Sequence, residues 1–248
     1  MREGIISVST VPLRAEPNSR SEILSFLLFG ERYSISENPD NESWIKVQTL
    51  RDGYTGYISA DQHSDYNPHV FEPDALIWDP LLTVNKPGYP PFLCAGSEVV
   101  AADFNPNHCA PLPNHFKMKQ VPAQKLIDYA CSFLGIAYLW GGRSAMGMDC
   151  SGLIQILFKL FGVALPRDSS KQYEVLPHIE WTNLMPGDLV FFASKPNSNK
   201  VMHVGLFLGD DRILHASGKV KIDALTPQGI VKPNGKYSHY TVGCARCA

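Results

Sequence analysis

The chain has 248 residues, of which 44% are hydrophobic, and 22 Lys and Arg stand against 24 Asp and Glu for a formal net charge of -2. That length has room for two or three domains, and the near-neutral balance excludes nucleic acid or an anionic membrane surface as the partner. Six Cys are too few for a disulfide scaffold and fit a reducing cytoplasm. Met1-Arg2-Glu3-Gly4-Ile5 carries an early acid and no apolar run of signal-peptide length, so no secretory address is read. Gln155 and Lys159 break the longest apolar run, so no membrane span is expected.

Residues 1–60 read as short strands: 4–8, 11–14, 23–29, 32–36, 44–48 and 54–58. Between them lie turn clusters such as Glu16-Pro17-Asn18 and Arg51-Asp52-Gly53. This is a small β-barrel pattern. The phrases Gly30-Glu31-Arg32-Tyr33, Ser43-Trp44-Ile45-Lys46-Val47 and Gly53-Tyr54-Thr55-Gly56-Tyr57-Ile58 resemble the bacterial Src-homology-3-like domain. Residues 61–120 are rich in Pro, with strands expected at 75–78, 81–84 and 98–102. A second, degenerate barrel is expected there, because a structureless linker of that length is unusual in a compact protein. The tract from Phe104 to Pro113 reads as a rigid connector. His108 and His115 flank Cys109 without a metal-site pattern, and Cys244-Ala245-Arg246-Cys247 lacks a second ligand pair, so no metal is assigned.

From residue 121 to 248 the pattern turns to helices first and strands later, which is α+β. Pro122 opens a helix with Leu126, Ile127, Ala130, Phe133 and Leu134 as its apolar stripe, ended by Gly135. A second helix follows Asp149-Cys150-Ser151, with Leu153, Ile154, Leu157, Leu160 and Phe161 inward and Gly162 as its stop. Apolar strands follow at 188–193, 201–208 and 212–216.

Cys150 at the mouth of that second helix reads as a nucleophile, because unpaired N–H groups and the helix dipole lower a thiol's pKa there. A thiol nucleophile needs a base, and the base needs a partner to orient it. His203 and His215 lie on two strands joined by Gly209-Asp210-Asp211, a hairpin signature. A three-residue loop pairs 205 with 215 and brings both rings to one face, within a diagonal reach of roughly 7–8 Å between backbones. A two-residue loop sends His215 to the other face.

Six phrases in order, Tyr138-x-Trp140-Gly141-Gly142, Asp149-Cys150-Ser151-Gly152, Leu165-Pro166-Arg167-Asp168-Ser169-Ser170, Pro186-Gly187-Asp188-Leu189-Val190-Phe191-Phe192, His203-Val204-Gly205 and Leu214-His215-Ala216-Ser217, resemble the NlpC-type cysteine peptidases, papain-like enzymes of bacterial peptidoglycan. The resemblance implies Cys150 as nucleophile, His203 as general base, His215 as the ring-orienting third member and Tyr138 as an oxyanion donor beside the Cys150 N–H. No cofactor is implied.

The pairing of such a domain with Src-homology-3-like modules resembles the γ-D-glutamyl-L-diamino acid endopeptidases, which cut peptidoglycan-derived peptides carrying a free N-terminal L-Ala. Asp149, Ser151, Asp168 and Ser169 occupy that family's substrate-contact positions, with Arg167 beside them. Tyr57 of the first barrel, with Glu31 or Glu42 as an acidic partner, is expected to complete the pocket. Two other readings stay open: an exported wall-remodelling hydrolase acting on intact peptidoglycan, and a papain-like acyltransferase.

Overall fold

A computed structural model of the chain describes residues 2–37, 43–113 and 121–247. The chain divides into two compact units, Met1–Phe116 with Trp140–Ala145, and Lys117–Leu139 with Met146–Ala248.

In the first unit, β1 (Glu3–Ile5), β2 (Thr10–Arg14), β3 (Ile23–Leu28), β4 (Arg32–Glu37), β5 (Trp44–Thr49), β6 (Thr55–Ser59) and β7 (Ser64–Asp65) form one sheet of order β3-β2-β6-β5-β4-β1-β7. The first six strands overlap those read from the sequence, although β1 ends at Ile5, short of the expected residue 8. Their alternation is the cause: β2 buries Val11 and Leu13, and β5 buries Ile45 and Val47. These meet Ile6, Leu27, Tyr33 and Ile58 in one apolar cluster, each such burial contributing about 1.5–3 kcal/mol. Gly30, at φ +80, turns the chain into β4, and a Cβ there would lie 2.0 Å from the Glu98 carbonyl oxygen.

The region expected to hold a second barrel carries β8 (Ala75–Ile77), β9 (Leu81–Thr83), β10 (Phe92–Cys94), β11 (Glu98–Val99) and β12 (Cys109–Pro111). They pair as two separate sheets, β11-β8-β12 and β10-β9. Their core, Ala75, Ile77, Leu93 and Val99, takes in Phe29 from the end of β3, so this region shares its apolar cluster with the barrel. The tract read as a connector supplies β12. His108 bonds Asp79 at 2.8 Å, and His115 lies outside the described residues. Near the end of this unit, Arg143 of β13 (Arg143–Ser144) forms a buried ion pair with Glu31 at 3.2 Å and donates to the Phe26 carbonyl.

The second unit holds α1 (Ala123–Cys131), β14 (Gly147–Met148), α2 (Cys150–Leu160), α3 (Ser169–Val175), β15 (His178–Ile179), β16 (Leu189–Ala193), β17 (His203–Gly209), β18 (Arg212–Ser217), β19 (Lys219–Thr226), β20 (Gly229–Val231) and β21 (Tyr237–Ala245). Pro122 is the residue before α1 rather than inside it. Leu134, expected in the apolar stripe, is 43% exposed because the helix ends before it. Every residue of α2 is buried, Gln155 and Lys159 included. Among the described residues no helix is long and apolar enough to cross a membrane.

The sheet runs β15-β21-β16-β17-β18-β19-β20, and β20 also pairs with β21. That last pairing closes six strands, β16 to β21, into a ring. Val190, Phe192, Phe207, Ile213, Leu225, Ile230 and Cys244 form one apolar cluster of its strands. Cys244 is therefore a core residue, and all six cysteines are free thiols.

The hairpin of β17 and β18 reaches the expected register by another route. Gly209 pairs with Arg212, which leaves a two-residue turn of Asp210 and Asp211 at φ +48 and +52. Such a turn matches the right-handed twist of the strands. A bulge between Phe207 and Gly209 then absorbs one residue, and Phe207↔Ile213 and Leu206↔Leu214 follow. The next step sets Gly205 opposite His215. A Cβ on Gly205 would lie 2.6 Å from Ile213 Cγ1 and 3.1 Å from His215 Cβ, so glycine keeps the face open for the histidine. Gly205→Ala is expected to overpack this face and lower stability by about 1–3 kcal/mol. Urea denaturation checks it; an unchanged midpoint contradicts the packing.

Candidate active site

Cys150 is the first residue of α2, and Asp149 caps the helix by accepting from the Gly152 N–H at 2.7 Å. The thiol is buried, 7% exposed. Its pKa is pushed up to about 12, first by burial and then by the Asp149 charge; the N–H groups of Val204 and Ser151 and the Arg167 charge act in the opposite direction. This corrects the expectation of a thiol acidified by the helix start. The dipole is present, but loss of water around the sulfur outweighs it.

Asp149, Ser151 and Arg167 bond one another beneath the cysteine. Arg167 grips the Asp149 carboxylate with both terminal nitrogens, at 3.0 and 2.5 Å, and donates to Ser151 Oγ at 3.0 Å. Ser151 Oγ in turn donates to Asp149 at 3.3 Å. All three are buried, Arg167 to 2% exposure. The bidentate pair matches guanidinium to carboxylate geometry, and its evident work is to hold the start of α2. Gln172 of α3 adds a bond to the Ser151 carbonyl at 3.0 Å. Asp168 and Ser169 stand at the start of α3, Asp168 half-buried and Ser169 buried.

His203, the first residue of β17, precedes the Val204 N–H that faces the Cys150 sulfur. His203 Nε2 lies 2.8 Å from His215 Nδ1, and His215 Nε2 lies 3.0 Å from an Asp223 carboxylate oxygen. Lys221 pairs with the same carboxylate at 2.8 Å. The proton positions follow. His215 and Lys221 hold the Asp223 carboxyl down to about 2, so it is ionised and only accepts. Nε2 of His215 therefore donates. Burial keeps the His215 ring below the usual imidazole range, so the ring is neutral and its Nδ1 accepts from His203 Nε2–H. Nδ1 of His203 is left with its lone pair. Burial first, then the neighbouring His239, His215 and Lys221, hold His203 well below the usual imidazole pKa.

Tyr138 lies in the same unit, its backbone N–H bonded to the Gly218 carbonyl at 3.0 Å. Burial, then the charges of Cys150 and Asp149, push its hydroxyl up to about 12, so it remains a donor. Tyr57 belongs to the first unit, where it is half-buried on the strand face opposite Ile58. Glu31 is held by Arg143 and the Leu28 N–H, and Glu42 lies outside the described residues.

Two residues of the site escape the sequence reading. Asp223 is reached only through the register of β18 with β19, in which His215 faces Lys221 and Ile213 faces Asp223. His239 comes from β21, and its ring stacks on that of His203 with centroids 4.0 Å apart and planes 16° apart. The alternation of Lys219, Lys221 and Asp223 along one strand face was the available signal for the first; a ring closed by long-range pairing leaves none for the second.

With its ring neutral, His203 is available to accept a proton down to unusually low pH. The acid limb of kcat/KM is expected to fall well below pH 6.5, because the group must lose its proton to act and burial makes it do so early. A pH profile of peptide hydrolysis checks this, and an acid limb at or above 6.5 contradicts it.

Residues 135–238 match the NlpC/P60 family, and residues 13–62 match the bacterial dipeptidyl-peptidase Sh3 domain. A gamma-D-glutamyl-L-lysine dipeptidyl-peptidase of Bacillus subtilis (strain 168) is 39% identical over 106 residues, 42% of this chain and 36% of that protein. One from Bacillus cereus (strain ATCC 10987 / NRS 248) is 35% identical over 113 residues, 44% of this chain and 34% of that protein. The match thus spans about a third of the length of these curated relatives. The crystal structure of an NlpC/P60 family protein from Bacillus cereus ATCC 10987 shares the fold, with a TM-score of 0.83 at 20% identity over 99% of each chain. With Cys150, His203 and His215 all inside the matched residues, the chain carries the NlpC/P60 domain of a family of cysteine peptidases, preceded by a bacterial dipeptidyl-peptidase Sh3 domain.

Proposed function

We propose that this chain is a cysteine endopeptidase that hydrolyses the γ-D-glutamyl–diamino acid bond of peptidoglycan-derived peptides with a free N-terminal L-Ala, in cytoplasmic recycling of murein peptides. The observation that carries the reading is the line of hydrogen bonds from Asp223 through His215 to His203, which leaves a basic nitrogen on the residue next to the Cys150 contact. The names of the Bacillus relatives support the bond and the dipeptide product.

In this mechanism His203 Nδ1 takes the thiol proton as Cys150 Sγ bonds to the γ-carbonyl carbon. The carbonyl oxygen gains the charge and is assigned to the Cys150 N–H and the Tyr138 hydroxyl. Collapse breaks the C–N bond, and His203 returns the proton to the leaving amine. Water, deprotonated by His203, then attacks the thioester; collapse breaks the C–S bond, the Cys150 sulfur takes that proton back from His203, and the dipeptide leaves as an acid that ionises to the carboxylate. Attack from a neutral thiol suits this site, because thiol deprotonation and bond formation occur together and no buried thiolate has to persist. Asp168 and Ser169 are the groups assigned to the substrate ammonium.

Purified chain is expected to cleave L-Ala-γ-D-Glu-diaminopimelate. Cys150→Ala should abolish turnover while leaving the circular dichroism spectrum intact, and N-acetylation of the L-Ala should stop cleavage. Turnover by Cys150→Ala contradicts the nucleophile. Equal cleavage of the acetylated peptide or of intact peptidoglycan replaces the recycling reading with wall remodelling, and amide formation with an added amine in place of hydrolysis replaces it with acyl transfer.

A further inference from the structure

Three imidazoles from three strands meet at one place in the second unit. His203 of β17, His215 of β18 and His239 of β21 offer nitrogen atoms that all lie within 4.8 Å of one another. His239 lies parallel to His203 and edge-on to His215, whose ring centroid is 6.0 Å away. Its Nδ1 is 3.0 Å from Ser238 Oγ, so Nε2 is its remaining ligand atom. His215 already has its outer nitrogen on a carboxylate, the arrangement that orients histidines at zinc sites. The matched family segment ends at residue 238, one short of His239.

We propose that His203, His215 and His239 form a binding site for a divalent transition-metal ion of the zinc type, and that the bound ion shuts off the thiol chemistry. The second half of this proposal rests on the peptidase reading; the first does not. Three imidazole donors select zinc-like ions over calcium or magnesium, which take oxygen ligands.

Tetrahedral Zn–N bonds of about 2.0–2.1 Å set donor nitrogens roughly 3.3–3.4 Å apart. The His203–His215 pair at 2.8 Å must open slightly, and His239, whose ring lies parallel to that of His203, must turn out of the stack to bring its Nε2 lone pair onto the same ion. Water completes the tetrahedron.

The ion takes the lone pair of His215 Nδ1 and that of His203 Nε2. The proton that bridged them moves to Nδ1 of His203, so the ring stays neutral as the opposite tautomer. That tautomer has no lone pair for the thiol proton. Metal and catalysis therefore exclude one another at His203, with no change in oxidation state and no bond to Cys150.

Zinc titrated calorimetrically into the chelator-treated full chain, with tripeptide hydrolysis followed in parallel, tests the site. Wild type is expected to bind zinc and lose activity over the same concentration range. His239→Phe, which keeps a stacked ring without a donor, should weaken binding at least tenfold and raise the half-inhibiting zinc concentration equally, each rate referred to that variant's own metal-free rate. His239→Gln, a polar replacement, should do the same if it folds where Phe does not. Cys150→Ser should keep the binding, which separates this site from capture by a thiolate. No binding, binding unchanged in both His239 variants, or binding lost in Cys150→Ser overturns the site. Zinc binding with the expected His239 dependence in a chain that hydrolyses no tripeptide supports the metal site and removes the peptidase reading instead.

Discussion

The hydrogen bond between two neutral imidazoles, His203 Nε2–H to His215 Nδ1, is the constraint on which the chemistry proposed for this chain depends. It exists because Asp223, ionised and paired with Lys221, can only accept, which fixes the proton on the far side of His215. The tautomer of His203 is thereby set from two residues away. Everything that places those groups serves this bond: Gly205 leaves room on the face that His215 occupies, the Asp210–Asp211 turn and its bulge set the register, and the pairing of β18 with β19 delivers Asp223.

Burial makes the opposite demand on charge. The thiol is pushed up and the base is pushed down, so the resting pair is uncharged on both members. The start of α2 is secured by the charge pair of Asp149 with Arg167. Removing one partner of such a buried pair typically costs about 3–5 kcal/mol, because the other charge is left uncompensated. Asp149 thus supports the position of Cys150 while its charge opposes ionisation of the same thiol. In the proposed reaction the helix N-terminus supplies N–H groups for a charge that develops during reaction, not for one already present at rest.

Sequence pattern and structure agree where the determinant is local. The six barrel strands follow from alternation between turn clusters, and α2 follows from Asp149 ahead of an apolar run with Gly162 at φ +78 behind it. Cys150, His203 and His215 could be singled out because each sits in a local motif, and the two histidine rings do meet. The hairpin register was legible too, although a two-residue turn plus a bulge took the place of the three-residue loop, since both insert the same number of residues. Asp223, His239 and the closure of the ring by β20 and β21 depend on pairing between distant strands, which local periodicity does not encode. The pKa of Cys150 was misjudged for the same reason: a helix dipole can be read from neighbours in sequence, whereas burial is a property of the whole fold. Arg167, next to the expected substrate contacts, is tied instead to Asp149 by a fold that brings residues 149 and 167 together.

The tautomers of His203 and His215 carry the central claim, and nitrogen-15 NMR of the histidine side chains at neutral pH reads them directly. The account predicts both rings neutral with the proton on Nε2, so that Nδ1 of each shows the shift of an unprotonated nitrogen. A His203 imidazolium, or a proton on His203 Nδ1 in metal-free protein, would contradict it, because the ring would then have no lone pair to receive the proton of Cys150.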